Sequence, residues 1–289
     1  MKRRHGLRRL VAGIVVGLMA AAALVGCSST SGAQTALPAG VAVSLFQNRS
    51  DYPIRHLEVQ VHNTTKSTVT LHSGEFSSAF FVKTVAMHYL PYDLEPGDEV
   101  AFPVYLPSAA CDKPKPVPRV TVSFTDAAGK GNATVTPRVL YNTLNEIHSH
   151  DCALSTFEKV VAITPGDAVT WTRNASGALI SHLDLTFTPT GAPGTVTLNS
   201  IDNTTLLDMS FDAKLPLALS ASSAPQKLVL TATPSRCETH ALGEDKIGTV
   251  VPFHVKTSAY SNGYFGLVLS NTLKFEYYHY FSLACGYPG

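Results

Sequence analysis

Apolar and polar residues alternate in short segments along most of the chain. Leu57, Val59 and Val61 alternate with polar neighbours, and the same pattern returns at residues 183–187. A period of two residues is typical of a strand with one buried face. Turn sequences containing Gly, Pro, Asn or Asp separate the segments at intervals of about ten residues, and no stretch keeps a clear helical period. The pattern predicts an all-β chain built from β-sandwiches.

A proline interrupts one of the predicted strands. Val100, Phe102 and Val104 would line one face of this strand, and Pro103 lies among them. Because proline cannot donate a hydrogen bond to a neighbouring strand, we predict a sheet edge or a bulge here. The preceding turn, residues 94–98, reads Leu-Glu-Pro-Gly-Asp. It resembles the Leu-x-Pro-Gly-Asp/Glu turn of the immunoglobulin-like modules on bacterial surfaces, a resemblance that implies an architecture and no particular activity.

Aromatic residues are concentrated near the C-terminus. Residues 273–281 are predicted to form a strand, with Tyr278 and Tyr280 on one face and Tyr277, His279 and Phe281 on the other. We expect one face to be core and the other to cover a neighbouring strand. The alternative is an exposed aromatic surface for sugars or partners. The only tryptophan, residue 171, is predicted to belong to the core.

The N-terminus carries the pattern of an export signal. Five basic residues in positions 1–9 precede an uncharged apolar run at 10–25. The run is shorter than the roughly 20 residues of a membrane span and suits a secretory signal. Leu24-Val25-Gly26-Cys27 then resembles the bacterial lipobox. The resemblance implies a thioether-linked diacylglycerol on Cys27, cleavage before it, and acylation of the new terminus by a fatty acid such as palmitate. The alternatives are an ordinary secretory signal with a chance cysteine and an uncleaved anchor helix.

The N-terminal pattern and the predicted strands together indicate the domain organisation and the location. Residues 1–26 are predicted to be the lipoprotein signal peptide, and residues 27–40 are predicted to be a flexible tether rich in Ser, Thr, Ala and Gly. Residues 41–153 and 154–289 are predicted to form two immunoglobulin-like β-sandwich domains. Several acyl chains on Cys27 would be enough for stable anchoring. The expected location is the extracytoplasmic face of the cell membrane.

The other four cysteines divide between the two predicted domains. Four cysteines allow three pairings. The simplest places one bridge in each domain, Cys111–Cys152 and Cys237–Cys285. The alternative, four reduced metal ligands, would require clustered spacing such as C-x-x-C, which is absent from the sequence. The lipobox, the paired cysteines and the stretch RCETHALGEDKIGT together resemble two-domain lipoproteins and secreted proteins of high-GC actinobacteria, without implying an activity.

The charge balance bears on possible partners. Cleavage before Cys27 would remove five basic and no acidic residues from a total of 22 basic and 21 acidic ones, so the mature chain would be net acidic. A nucleic-acid partner would require a basic patch, and the sequence indicates none. It contains no nucleophile-elbow, zincin, P-loop or dinucleotide motif, so neither an enzyme nor a cofactor is predicted.

Two polar segments remain as candidate sites. In the first, Glu146, His148 and His150 would share one face of an extended segment and could bind Zn or Cu; the alternative is a solvated linker around Cys152. The second is a charged loop after a predicted strand, which could recognise a ligand or partner or form only an internal salt-bridge cluster. Its candidate residues are Arg236, Glu238, His240, Glu244 and Asp245.

These observations favour one function over its rivals. We expect a non-catalytic lipoprotein of the cell envelope that binds or scaffolds an envelope protein or polymer. The rival hypotheses are an extracytoplasmic metal-binding protein that uses His148 and His150, and an enzyme without a recognisable motif.

Overall fold

The computed structural model describes residues 34–112, 117–238, 240 and 250–287. The described residues belong to one compact unit. Cys27 and the predicted signal peptide lie outside them, as do Glu244 and Asp245 of the predicted charged loop. Residues 34–40, the last of the predicted tether, contact the body of the protein. There the amide of Gln34 donates to Asp126 Oδ1 at 2.8 Å.

The first half of the described chain folds into a β-sandwich. Its strands are β1 (Val41–Phe46), β2 (His56–Asn63), β3 (Val69–Ser77), β4 (Val85–Ala86), β5 (Tyr92–Leu94), β6 (Glu99–Tyr105), β7 (Arg119–Asp126), β8 (Gly129–Val135) and β9 (Arg138–Val139). One sheet has the order β6-β2-β1-β9 and the other the order β4-β3-β7-β8, with β5 also paired to β3. A short 3₁₀ helix, Arg49–Asp51, connects β1 to β2.

The core of this first sandwich lies between its two sheets. Val59 of β2, Phe102 of β6 and Phe124 of β7 are buried in one cluster, so side chains of both sheets meet there. Strand β6 forms an edge of its sheet, as Pro103 predicts, and Pro103 lies opposite Glu58 of β2.

The second half forms another sandwich. Its strands are β10 (Val161–Pro165), β11 (Thr170–Arg173), β12 (Leu179–Pro189), β13 (Thr195–Ile201), β14 (Leu207–Phe211), β15 (Leu217–Ser220), β16 (Gln226–Pro234), β17 (Val250–Lys256) and β18 (Gly263–Val268). The sheet orders are β10-β12-β16-β14, with β11 also paired to β12, and β15-β13-β17-β18. Across the core, the rings of Phe187 and Phe253 lie 6.4 Å apart between centroids.

The strand order of both sandwiches matches the immunoglobulin arrangement. In the first, β1, β2 and β6 share one sheet while β3, β7 and β8 share the other. In the second, β10, β12, β16 and β14 share one sheet while β13, β17 and β18 share the other. These groups correspond to the A-B-E and C-F-G strands of an immunoglobulin domain, and β14 corresponds to strand D. The predicted all-β class with two immunoglobulin-like sandwiches is confirmed.

Two predicted extended segments are instead α-helices. Helix α1 (Thr143–Glu158) covers the segment expected to be extended around Cys152, and α2 (Asn271–Ala284) replaces the predicted C-terminal strand. The buried residues of α2 are spaced as on one helix face, at positions 273, 277, 280 and 281. The hydroxyl of Ser270 caps α2 by accepting from the backbone N–H of Leu273. Burial of one helix face therefore outweighs the strand preference of the aromatic residues.

Helix α1 contributes to both hydrophobic cores. Leu144 and Ile147, near its N-terminus, belong to the core of the first sandwich. Ala153 and Phe157, near its C-terminus, belong to the core of the second. The predicted boundary between residues 153 and 154 therefore falls inside a helix that both sandwiches share.

Candidate functional site

Both predicted disulfides are present. Cys111–Cys152 joins the segment after β6 to the middle of α1, with the two Cα atoms 5.5 Å apart. Cys237–Cys285 joins the chain after β16 to the end of α2, with Cα atoms 5.3 Å apart. Each bridge therefore fastens a loop to a helix.

The predicted metal site at Glu146, His148 and His150 is not formed. All three residues lie on α1, where side chains two positions apart point about 200° away from each other. The Nε2 atom of His148 lies 3.2 Å from the carbonyl oxygen of Ala110. The Nδ1 atom of His150 lies 2.8 Å from the hydroxyl of Tyr52. The two histidine rings therefore contact separate partners, and the same-face prediction is wrong because the segment is helical.

His150 lies instead in an aromatic contact between the two sandwiches. Its ring lies 4.7 Å from that of Tyr264 on β18, while its Nδ1 contacts Tyr52 of the first sandwich. Burial lowers the pKa of His150, against a smaller opposing effect of the Asp151 carboxylate. Burial also raises the pKa values of Tyr52 and Tyr264, so both keep their hydroxyl protons at neutral pH.

An ion pair next to this contact fixes α1 to the first sandwich. The guanidinium of Arg55 donates to both carboxylate oxygens of Asp151, at 2.6 and 2.9 Å. It also donates to the carbonyl oxygen of Pro107 at 2.9 Å. The hydrogen bond to Asp151 raises the pKa of Arg55. Helix, ion pair and disulfide together hold residues 106–112 in place.

Residues 106–112 line three neighbouring cavities on the first sandwich, which share wall residues and together form a groove. Its largest cavity, of about 690 Å³, lies beside β4 and the end of β6, with Val82, His88 and Tyr105 in its wall. Two smaller cavities continue the groove to α1, and both have Ser155 and Lys159 in their walls. The groove thus runs from a sheet edge to the helix that joins the two sandwiches.

The groove has exposed apolar and aromatic side chains on a braced backbone. Val82 is exposed and Tyr105 is 51 % exposed. The Tyr105 ring is held edge-on by the rings of His56 and His88, at centroid distances of 4.1 and 4.7 Å. The backbone N–H of Val82 donates to the carbonyl of Ser108 at 3.1 Å. A backbone fixed in this way loses little conformational entropy when a ligand binds.

Sequence reasoning missed this groove. Pro103 gave the one local signal, because it marks β6 as an edge strand. The carbonyl of Pro103 accepts a hydrogen bond from the backbone N–H of His88 at 3.0 Å. Proline at an edge strand discourages pairing with the strand of another protein. Recognition along this edge would therefore involve side chains more than strand addition.

The remaining predicted site residues are partly described. Arg236, Glu238 and His240 are exposed, and the carbonyl of Cys237 between them accepts from the hydroxyl of Tyr287 at 2.7 Å. Glu244 and Asp245 lie outside the described residues, so the whole loop remains a prediction.

The aromatic C-terminal segment is largely core. Tyr277, Tyr280 and Phe281 are buried in the second sandwich. The hydroxyl of Tyr280 donates to the carbonyl of Ala232 at 2.8 Å. Trp171 is half-buried and packs against the edge of this core, with its ring centroid 6.3 Å from that of Tyr280. These buried residues come from both faces of the predicted strand, so the predicted faces are wrong, and the core face is that of a helix.

No helix in the described part of the chain combines the length and apolarity that crossing a bilayer would require. No protein-family model and no curated protein matches the sequence.

Several solved structures are similar at low scores. The BSP domain of a biofilm-associated protein has a TM-score of 0.23 at 8 % identity, with 84 % of this chain and 62 % of that one covered. The B domain of a biofilm-associated protein also has a TM-score of 0.23, at 7 % identity, with 78 % and 84 % covered. An exo-chitosanase of Amycolatopsis orientalis has a TM-score of 0.20 at 12 % identity, with 80 % and 26 % covered. The chain thus spans less than two thirds of the first of these structures, and we draw no functional conclusion from likenesses this low.

Proposed function

We propose that the protein is a lipid-anchored lipoprotein on the extracytoplasmic face of the cell membrane, which binds an envelope protein or polymer without catalysing a reaction. The groove beside residues 106–112 is the binding surface. The observation that carries this proposal is the combination of exposed side chains such as Tyr105 with a backbone braced by the Cys111–Cys152 bridge.

The chemistry of the groove supports a large, partly polar ligand. Tyrosine offers an apolar ring face together with a hydroxyl, and it is common at binding interfaces for that reason. At its other end the groove is lined by Arg55, Asp151, Glu158 and Lys159, which offer charges of both signs. An elongated ligand could contact aromatic and charged groups in sequence along the groove.

Capture from an envelope extract tests the groove. The lipid-free chain, with Cys27 and its signal removed, is immobilised, and the retained protein and polymer are quantified. Ser108→Trp, which would fill the groove, and Tyr105→Ala are expected to reduce the retained material several-fold. Tyr141→Ala is the matched control, since Tyr141 is 84 % exposed and follows β9, at the opposite edge of the sheet from β6. Equal retention by all variants would exclude the groove as the binding surface.

Metabolic labelling tests the anchor separately. Cells that express the full chain should incorporate labelled palmitate into the protein, and Cys27→Ser should abolish the label. Incorporation that persists in Cys27→Ser would exclude Cys27 as the lipidated residue.

A further inference from the structure

A compact group of three potential ligand side chains lies on the outer face of the first sandwich. His56 and Glu58 are two positions apart on β2, so they project from the same face of the sheet. Asp51, at the end of the 3₁₀ helix, approaches them. One ring nitrogen of His56 and one carboxylate oxygen each of Asp51 and Glu58 all lie within 4.8 Å of one another.

The two carboxylates of the group are buried. Asp51 is 6 % exposed and Glu58 is 9 % exposed. Within the described residues, Glu58 Oε2 and His56 Nε2 are buried atoms without a hydrogen-bond partner. None of the ion pairs found in the described part of the chain includes Asp51 or Glu58. Two neighbouring buried carboxylates cost free energy unless a cation or a proton neutralises them.

Surrounding contacts hold Asp51 and His56 in place. The backbone N–H of Asn48 donates to Asp51 Oδ2 at 2.7 Å, and the hydroxyl of Ser50 donates to Asp51 Oδ1 at 3.4 Å. Each carboxylate oxygen accepts more than one bond, so Oδ1 keeps a lone pair for a ligand. The side chain of Gln47 donates to the backbone carbonyl of His56 at 2.7 Å. The ring of Tyr105 packs edge-on against the His56 ring. Outer contacts of this kind orient the ligands in known metal sites.

We propose that Asp51, His56 and Glu58 form a binding site for one divalent transition-metal ion, with zinc as the best fit. One imidazole nitrogen and two carboxylate oxygens are a ligand set that zinc accepts, whereas magnesium and calcium prefer oxygen ligands alone. Tetrahedral zinc with bonds of about 2.0–2.2 Å places its ligand atoms about 3.3–3.6 Å apart. The three atoms already lie within 4.8 Å of one another, so side-chain rotations would have to bring them closer by up to about 1.5 Å. Three protein ligands leave a fourth position for water or for a group of a bound partner.

The competing explanation is a proton bound between the two carboxylates. Burial and the nearby Asp51 carboxylate both raise the pKa of Glu58, in that order of size, and this shift is compatible with either a proton or a metal ion. The two explanations differ in what happens when zinc is added, and that difference is measurable.

Calorimetric titration of the lipid-free chain with zinc chloride, after dialysis against a chelator, tests the site. We expect one zinc ion per chain with micromolar or tighter affinity, and little heat with magnesium. His56→Ala should weaken zinc binding at least tenfold. His62→Ala is the matched control, since His62 is another half-buried histidine on β2 and lies outside the three-residue group. No binding by the wild-type chain, or equal binding by His56→Ala, would overturn the proposal.

A second variant keeps the test decisive if His56→Ala misfolds. Glu58→Gln preserves the shape of the side chain and removes one of the two buried charges. It should abolish the rise in unfolding temperature that zinc causes in the wild-type chain, while the metal-free variant unfolds at the same or a higher temperature. Zinc-dependent stabilisation that survives Glu58→Gln would overturn the proposal. Ser108→Trp, which tests the groove, leaves these three residues unchanged, so the metal site and the proposed function can fail independently.

Discussion

The ion pair between Arg55 and Asp151 gives a measurable estimate of how firmly α1 is attached to the first sandwich. The arginine side chain is 40 % exposed and the aspartate side chain 16 % exposed. Fully exposed pairs contribute about 0–1 kcal/mol, and breaking a fully buried pair costs about 3–5 kcal/mol. The Arg55–Asp151 pair is bidentate and of intermediate burial, so we expect a coupling free energy of about 1–2 kcal/mol, after allowance for solvent screening at the arginine.

The two single variants should differ in stability. Arg55→Met leaves the less exposed Asp151 carboxylate without its partner and should cost about 2–3 kcal/mol. Asp151→Ala leaves a guanidinium that keeps its hydrogen bond to Pro107 and its access to water, so it should cost only about 1 kcal/mol. The larger loss of stability is therefore expected when Asp151, the less exposed partner, is left without Arg55.

Urea unfolding of the wild type, both single variants and the double variant measures the coupling. The control cycle uses Lys227 and Asp184, whose charged atoms also lie 2.6 Å apart but whose side chains are 62 % and 44 % exposed. We expect the control coupling to stay below about 0.5 kcal/mol. Equal couplings for the two pairs would contradict this expectation, because the distance between the charged atoms, and not their burial, would then set the strength of each pair.

Three further predictions concern other parts of the fold. Replacing Cys111 and Cys152 by alanine should lower the free energy of unfolding by about 4 kcal/mol, because the bridge closes a loop of 41 residues. Urea unfolding under oxidising conditions should show this difference, and under reducing conditions the midpoints of wild type and variant should coincide. Gly131→Ala should cost about 1–3 kcal/mol in thermal unfolding, because a Cβ atom there would lie 2.3 Å from the ring of Phe124, whereas a neutral result would show that the ring moves freely. Burial lowers the pKa of His150 in the folded state, so the unfolded chain binds a proton more readily, and the free energy of unfolding should fall as the pH drops below about 6.5. In a plot of this free energy against pH, His150→Gln should flatten the slope below about pH 6.5, and an unchanged slope would show that other groups cause it.

The sequence predicts the strands well because each carries its own evidence. Alternation in β2 and β12 follows from one face being core, and it needs no knowledge of the partner strand. The disulfides are likewise predictable, since four cysteines divide evenly between two halves. Pro103 predicts an edge because its missing N–H is a property of the residue itself.

Helix α1 escapes sequence prediction for a physical reason. Its apolar residues serve two cores, with Ile147 in the first and Ala153 in the second. Six residues on a helix correspond to about 600°, so these side chains lie on different sides of the axis. A single apolar stripe, the usual sign of a helix packed on one core, is therefore missing.

The candidate sites depend on contacts between distant parts of the chain. The spacing of His56 and Glu58 is visible in the sequence as a same-face pair on a strand. The approach of Asp51 depends on the 3₁₀ helix that precedes β2. This helix has only three residues, too few to show a periodic pattern of apolar residues in the sequence. The groove likewise depends on Arg55 and Cys152 reaching residues 106–112 from other parts of the fold.

The sharing of α1 between two cores also restricts how this chain can vary in evolution. Each residue inserted into a helix turns everything beyond it by about 100° and moves it by about 1.5 Å. An insertion or deletion between Ile147 and Ala153 would therefore carry Phe157 out of phase with the second core while Leu144 stayed in the first. Surface loops can change length freely, but the number of residues between these two anchor points should be as strictly kept as the cysteines themselves.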